Sequence, residues 1–183
     1  SINWMNDPNG PIFKNGWYHL FFQYNPNSDV WGDIHWGHAK SKDLIHWEMC
    51  PIAIAPSTEA GEVHCYSGCA VDRGDEVRIF YTSIGKGERG PQTGAQQWSA
   101  RCTEEDLQKW EKCGKPALNQ KINGKLTITM WRDPFVWKED ETWYMLLSGT
   151  HKKKGCIALY QSNDLESWKF CSLFYQSCLL YTS

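Results

Sequence analysis

One short pattern, met three times, limits what this chain can fold into. Ser41-Lys-Asp-Leu-Ile-His-Trp47, Thr103-Glu-Glu-Asp-Leu-Gln-Lys-Trp110 and Ser162-Asn-Asp-Leu-Glu-Ser-Trp168 share an Asp-Leu-x-x-Trp core. Its Asp falls at 43, 106 and 164, a period near 60 residues. Ahead of each copy runs a short aromatic or β-branched stretch: Trp17–Tyr24, Val77–Thr82 and Trp143–Leu147. Such runs, bounded by Gly, Asn and Asp, read as strands. Ahead of those again stand Asp7-Pro-Asn-Gly, Ser67-Gly-Cys-Ala and Asp133-Pro-Phe-Val, each followed by a turn such as Lys14-Asn-Gly16, Asp72-Arg-Gly74 or Lys138-Glu-Asp140.

Each unit is therefore strand, turn, strand, Asp-Leu-x-x-Trp turn, strand. Repeats of roughly 40–60 residues built from short antiparallel strands mark β-propeller blades. The expected class is all-β, with blades near 1–60, 61–125 and 126–177. Thr103–Lys112 has good helix formers and a Thr-x-x-Asp capping pattern, but the same slot is too short and too Trp-anchored for a helix in the other two units. All three are read as turns. Three blades leave unpaired strand edges, so further sequence is expected beyond these residues. The chain also opens without Met, and its last residues, 178–183, break the repeat's texture. They match one reading frame of a common transposon-end sequencing adapter and are expected to be non-native.

Composition narrows the chemistry. A net charge of −2 offers no case for nucleic acid or an acidic membrane surface. No apolar run approaches the roughly 18–20 residues of a spanning helix, so no membrane partner is expected. Eleven Trp, eight Tyr and seven Phe suit both sheet cores and flat sugar faces. The eight Cys are scattered without paired spacing, which favours free thiols over a disulfide framework. Cys65-x-x-x-Cys69 with His64, and His35 with His38, lack the further ligands of a metal site. Neither metal nor organic cofactor is expected.

Two carboxylates stand out. Asp7 lies in Trp4-Met-Asn-Asp-Pro-Asn-Gly10, where Pro8 is expected to hold it extended and Asn9-Gly10 to turn the chain. With Asn6 beside it and Trp4 near, it suits a site that aims one oxygen at a sugar carbon; taken alone, the tetrapeptide is simply a turn. Asp133, in Trp131-Arg-Asp-Pro-Phe135, occupies the same slot two blades later, with Arg132 adjacent. Equivalent positions on innermost strands converge on a propeller's axis. Two carboxylates meeting there can bind hydroxyls and hold charge near an oxocarbenium-like transition state.

Trp4–Gly10, Tyr66-Ser67-Gly68 and Arg132-Asp133-Pro134 resemble glycoside hydrolase family 32, which comprises invertases, sucrose-6-phosphate hydrolases, inulinases and levanases. The resemblance runs from residue 2 to about 177. It implies a five-bladed propeller, about three blades of it in this chain, followed by a β-sandwich that this chain lacks. It implies Asp7 as nucleophile, Asp133 as transition-state stabiliser supported by Arg132, and Trp4, Asn6, Gln23, Trp31, Tyr66 and Ser67 as lining of a fructose pocket. The family's general acid is a Glu in a Glu-Cys pair some fifty residues after Arg-Asp-Pro. No such pair occurs here. Glu166 belongs to a repeated turn and is expected to face solvent, while Glu139 and Glu141 belong to a charged hairpin. The acid is expected outside this chain, which alone should turn over very slowly.

The implied activity is release of fructose from sucrose or sucrose 6-phosphate, with a small β-fructoside as the partner. Alternatives are a fructan hydrolase and a sugar-binding propeller without catalysis. An arabinan-cleaving propeller fits less well, for want of the first motif. Cysteine usage and the likeness to sucrose-6-phosphate hydrolases point to the cytoplasm; nothing in the sequence speaks to oligomeric state. His151-Lys-Lys-Lys154 reads as a solvated loop, with substrate phosphate binding as the alternative. Gly85–Gly90 reads as a flexible loop near the pocket mouth, and Gln96 and Gln97 as residues that could reach a sugar.

Overall fold

In a computed structural model that describes residues 3–177, the chain forms three four-stranded antiparallel sheets, each built from consecutive strands. The tail 178–183, with Cys178, lies outside the described residues. The first sheet holds β1 (Met5–Lys14), β2 (Trp17–Tyr24), β3 (His35–Ser41) and β4 (Trp47–Met49). The second holds β5 (Glu62–Asp72), β6 (Val77–Gly85), β7 (Gln96–Cys102) and β8 (Glu111–Lys112). The third holds β9 (Thr129–Glu139), β10 (Thr142–His151), β11 (Lys154–Ser162) and β12 (Lys169–Gln176). Helical structure among the described residues is limited to 3₁₀ turns such as Thr58–Ala60, Gly87–Arg89 and Gln120–Asn123.

The sheets stack with the second in the middle. Phe21, Trp36, Ile79, Tyr81 and Trp98 fill the seam between the first and second. Phe80, Trp131, Met145, Leu147 and Tyr160 fill the seam between the second and third. Successive side chains of a strand point to opposite faces, and β6 is buried at every position because both its faces are covered. β10 has buried residues at alternate positions over its first half, because only one face is covered there.

The repeated Asp-Leu-x-x-Trp segment is a turn in all three units. In the first, Asp43 Oδ1 accepts from the Ile45 and His46 amides at 2.9 and 2.8 Å, and Ser41 Oγ accepts from Leu44 N at 2.9 Å. Asp164 and Ser162 repeat those bonds to Glu166, Ser167 and Leu165 at 2.8, 2.7 and 2.9 Å. The Leu is left-handed each time, with φ of 64°, 53° and 66° at Leu44, Leu107 and Leu165. At Thr103–Lys112 Asp106 Oδ1 accepts from Gln108 N at 3.4 Å, and the left-handed Leu107 interrupts any right-handed helix, so the helix formers there give none.

These turns also join neighbouring sheets. Arg78 of β6 is 2% exposed; its Nη1 donates to Glu166 Oε1 at 2.5 Å and to the Leu165 carbonyl at 3.3 Å, and its Nε to Glu76 at 2.9 Å. Glu166, expected to face solvent, is thus half-exposed yet committed to Arg78. The Gly85–Gly90 loop, expected to be flexible, is pinned by Arg89, whose Nη1 donates to the Ala60 carbonyl and Nη2 to Ser83 Oγ, both at 2.7 Å.

Candidate active site

The first strands of the three sheets, β1, β5 and β9, each break register near their N-terminal ends, opposite their second strand. Asp7 is the extra residue between the pairs Asn6–Gln23 and Pro8–Phe22. Tyr66 and Ser67 oppose Thr82 alone, between the pairs Cys65–Ser83 and Gly68–Tyr81. Asp133 and Pro134 oppose Leu147 alone, between the pairs Arg132–Ser148 and Phe135–Leu146. These are β-bulges, which re-aim a side chain and end local pairing.

Asp7 has φ of 38° and Asp133 of 61°. The expectation that Pro8 holds Asp7 extended is therefore wrong. The bulge places Asp7 on the left-handed side, and the donor that proline lacks falls where the ladder is already broken. Left-handed conformations are costly for residues other than glycine and collect at functional sites. Their recurrence at both aspartates ties the backbone irregularity to the two side chains.

The bulges bring Asp7, Ser67 and Asp133 into one open cleft of about 370 Å³, shared with Asn9, Gly68 and Phe135. Ser67 Oγ donates to Asp7 Oδ2 at 2.8 Å and accepts from Gln23 Nε2 at 2.8 Å, so the Asp7 carboxylate is oriented through two sheets. Gly68 must be glycine: a Cβ there would run into the Phe80 carbonyl. Asp133 is held from its backbone, whose N–H donates to Thr82 Oγ1 at 3.0 Å. Thr82 in turn donates to Gln97 Oε1 at 2.7 Å, and Gln97 Nε2 donates to the Trp131 carbonyl at 3.2 Å. Gln97, read from sequence as able to reach a sugar, is fully buried and spent on this chain of bonds.

The Asp133 carboxylate is about half open to solvent, with Arg132 Nε 3.3 Å from its Oδ2. Its pKa is nonetheless raised above the ordinary carboxylate range. Burial of the surrounding chain is the largest cause, and the Asp7 charge adds to it against the attraction of Arg132. The two aspartates sense one another electrostatically.

Of the other expected lining residues, Tyr66 is half-buried, and burial raises its phenol pKa while Arg132 lowers it. Trp31 stands 53% exposed on a loop of the first sheet. Its ring lies 4.9 Å from that of His64 and 6.5 Å, edge-on, from that of Tyr66. Trp4 is half-buried and anchored through its backbone to Ser28 and Asn25. Asn6 is exposed, opposite Gln23. Arg132 and Asp133 also line a second cavity, of about 510 Å³, with Ser148 and Tyr175. A larger cavity of about 570 Å³ is lined by Asp33 and Glu62, but Glu62 is buried, its Oε2 held by Lys112 and by the Ser57 amide. Among the described residues, no group of three or more His, Cys, Asp or Glu is placed to hold a metal.

The family profile described as glycosyl hydrolases family 32 N-terminal domain matches residues 1–180. The chain belongs to glycosyl hydrolase family 32. A sucrose-6-phosphate hydrolase of Zymomonas mobilis is 39% identical over 176 residues, which cover 91% of this chain and 33% of that protein. An insoluble β-fructofuranosidase isoenzyme 1 of Oryza sativa subsp. indica is 37% identical over 172 residues, 91% of this chain and 29% of that protein. Among solved structures, a family 32 β-fructofuranosidase from Bombyx mori superposes with a TM-score of 0.83 at 35% identity, covering 97% of this chain and 36% of that one. Fructan 1-exohydrolase IIa from Cichorium intybus, in complex with 1-kestose, gives 0.77 at 34% identity, covering 93% and 32%. The chain thus spans about a third of the length of these family 32 relatives.

Sequence reasoning missed His64, Thr82, Asn9 and Phe135. His64 was weighed only as a metal ligand, although it alternates with Tyr66 on β5 and so shares its face. Thr82 ends a hydrophobic run, and nothing local marks it as the support of a residue 51 positions away. Asn9 accepts from Gly68 N through its Oδ1 at 3.4 Å. Phe135, 58% exposed at the cleft, directly follows Asp133-Pro134 and was the most readable of the four.

Proposed function

We propose that the intact protein is a retaining β-fructofuranosidase that releases fructose from sucrose or sucrose 6-phosphate, and that these three sheets are part of a five-bladed propeller. One observation carries the reading: Asp7 and Asp133 occupy equivalent bulges on β1 and β9 and line one cleft, with Ser67 of the intervening β5 hydrogen-bonded to Asp7. Asp7 attacks the anomeric carbon of the fructosyl unit. The bond to the leaving oxygen breaks as a general acid protonates it, leaving a covalent fructosyl-enzyme. Water, deprotonated by the same group, then displaces Asp7 with net retention, a geometry that needs nucleophile and acid about 5–5.5 Å apart.

Asp133, with Arg132, binds fructose hydroxyls and holds negative charge beside the developing oxocarbenium ion. Trp4, Asn6, Gln23, Trp31, Tyr66 and Ser67 complete the fructose pocket, with His64 and Phe135 as further walls. The general acid comes from sequence outside these 183 residues. This part of the reading rests on Glu166 being paired with Arg78 and on Glu139 and Glu141 standing exposed at the far end of the third sheet. A fructan substrate is the second reading, favoured by the likeness to the Cichorium intybus exohydrolase.

The test is Asp7→Asn in the intact gene product, assayed on sucrose, sucrose 6-phosphate and inulin. Turnover should fall by roughly four orders of magnitude on every substrate, with the fold kept. Near-normal turnover removes Asp7 from the nucleophile's role. Activity of the parent on inulin above that on sucrose moves the fructan reading ahead.

A further inference from the structure

A second polar site lies on the third sheet, away from the carboxylate cleft. Lys125, Lys152 and Lys153 line a cavity of about 470 Å³ with Thr127, Thr129 and Thr150. None of the three ammonium groups makes an ion pair among the described residues. The site is built from two segments stitched together. His151 Nδ1 lies 2.8 Å from the Thr127 carbonyl, and Thr129 Oγ1 donates to the Thr150 carbonyl at 3.3 Å. Gln176 Nε2 holds the His151 carbonyl from β12 at 3.3 Å.

The turn itself is the telling part. Lys152 and Lys153 are the whole of a two-residue connection between His151 and Lys154, which pair in register. Both are left-handed, with φ of 50° and 62°. A two-residue hairpin with both central φ positive favours Asn-Gly, since other side chains meet steric cost there. Two adjacent like charges add repulsion. Local preference is thus overridden twice at one turn, and a third lysine, Lys125, lines the same cavity beside three threonines.

We propose that this cavity is a phosphate site, in which Lys125, Lys152 and Lys153 neutralise the dianion of a phosphate monoester and the Thr127 and Thr150 hydroxyls donate hydrogen bonds to its oxygens, the Thr129 hydroxyl being spent on the Thr150 carbonyl. Thr129 and Asp133 lie four residues apart on β9, at most about 14 Å along the strand, which is the scale of a phosphorylated disaccharide. For its bearing on substrate choice the inference rests on the fructosidase reading; for binding it does not.

The experiment is calorimetric titration of the intact gene product with inorganic phosphate and with glucose 6-phosphate at low ionic strength. The parent is compared with the double variant Lys152→Asn/Lys153→Gly. That variant deletes both charges while supplying the residues the turn prefers, so the hairpin is retained. Phosphate affinity should fall at least about tenfold in the variant and weaken with added salt in the parent, while sucrose turnover stays unchanged. Equal affinities for the two probes assign the site to the free anion; tighter glucose 6-phosphate binding assigns it to a sugar phosphate. No binding by the parent, or variant affinity within about twofold of it, overturns the proposal. Phosphate binding that is lost in the variant of a protein inactive on every fructoside keeps the site and sinks the fructosidase reading alone.

Discussion

The turns at Asp43 and Asp164 are near-copies in sequence and backbone, yet their leucines have opposite fates. Leu165 is 1% exposed and Leu44 is 54% exposed. Both are left-handed, and both are held by the same Ser and Asp bonds. The difference is what lies beside them. The turn of the third sheet rests on the second, under Arg78. That of the second rests against the first, where Leu107 packs with Ile12, and Asn15 Nδ2 donates to the Glu105 carbonyl at 3.0 Å. The first turn has no preceding sheet among the described residues. A local motif therefore sets the shape of each turn, and its neighbour sets what the turn is worth.

The contrast between the turns depends most on Arg78. Arg78→Ala should destabilise the fold by about 3–5 kcal/mol in equilibrium denaturation, because Glu76 would stay buried with only the half-exposed Arg73, 3.8 Å away, to offset its charge. Arg78→Met, which keeps the bulk, should cost nearly as much if charge is the cause and much less if packing is.

The leucines sharpen it. Leu165→Ala should cost about 3 kcal/mol, and Leu44→Ala less than about 0.5 kcal/mol, in the same assay. Equal losses would mean that Leu44 is covered in the intact protein by sequence outside the described residues.

The seams should also differ in acid. His19 Nδ1 and His38 Nε2 lie 2.9 Å apart at the seam of the first and second sheets, both rings buried. Burial lowers both pKa values, with Lys40 adding to it; for His38 the neighbouring His19 adds too, and the value drops to about 3. Asp106 works the other way on His19. The unfolded chain binds these protons near pH 6.5, while the folded chain refuses them. Stability is therefore full above that pH and is lost as pH falls toward 3. Hydrogen exchange should find the first seam opening before the second, and His38→Phe should flatten the slope.

The smallest effect belongs to the rim. Lys14 Nζ meets Asp72 at 2.8 Å across the first seam, partly exposed. Lys14→Ala should cost no more than about 1 kcal/mol and should do so only at low salt.

Much of this was legible without coordinates. The first two strands of each unit and the turn between them followed from the pattern, since a run of aromatic and β-branched residues closed by Asn-Gly or Asp-x-Gly has few other solutions. The third strand of each sheet, His35–Ser41, Gln96–Cys102 and Lys154–Ser162, did not, and Asn9-Gly10, read as a turn, lies within β1. That Asp7 and Asp133 share one cleft was legible because the repeat aligned them. Support was not legible: Thr82, Gln97 and Arg78 act on residues 51, 34 and 88 positions away. Nor was the commitment of Glu166, because a charged residue in a turn looks solvated until a buried guanidinium is found beneath it.

Three all-β units and their Asp-Leu-x-x-Trp turns could be read along the chain, because those depend on interactions a few residues long. Sheet packing is what sets Asp7 left-handed in a bulge, brings Ser67 to orient it, and buries one leucine of a repeated turn while leaving another bare. Those depend on which sheet lies against which, and contacts across a seam leave no period in the chain.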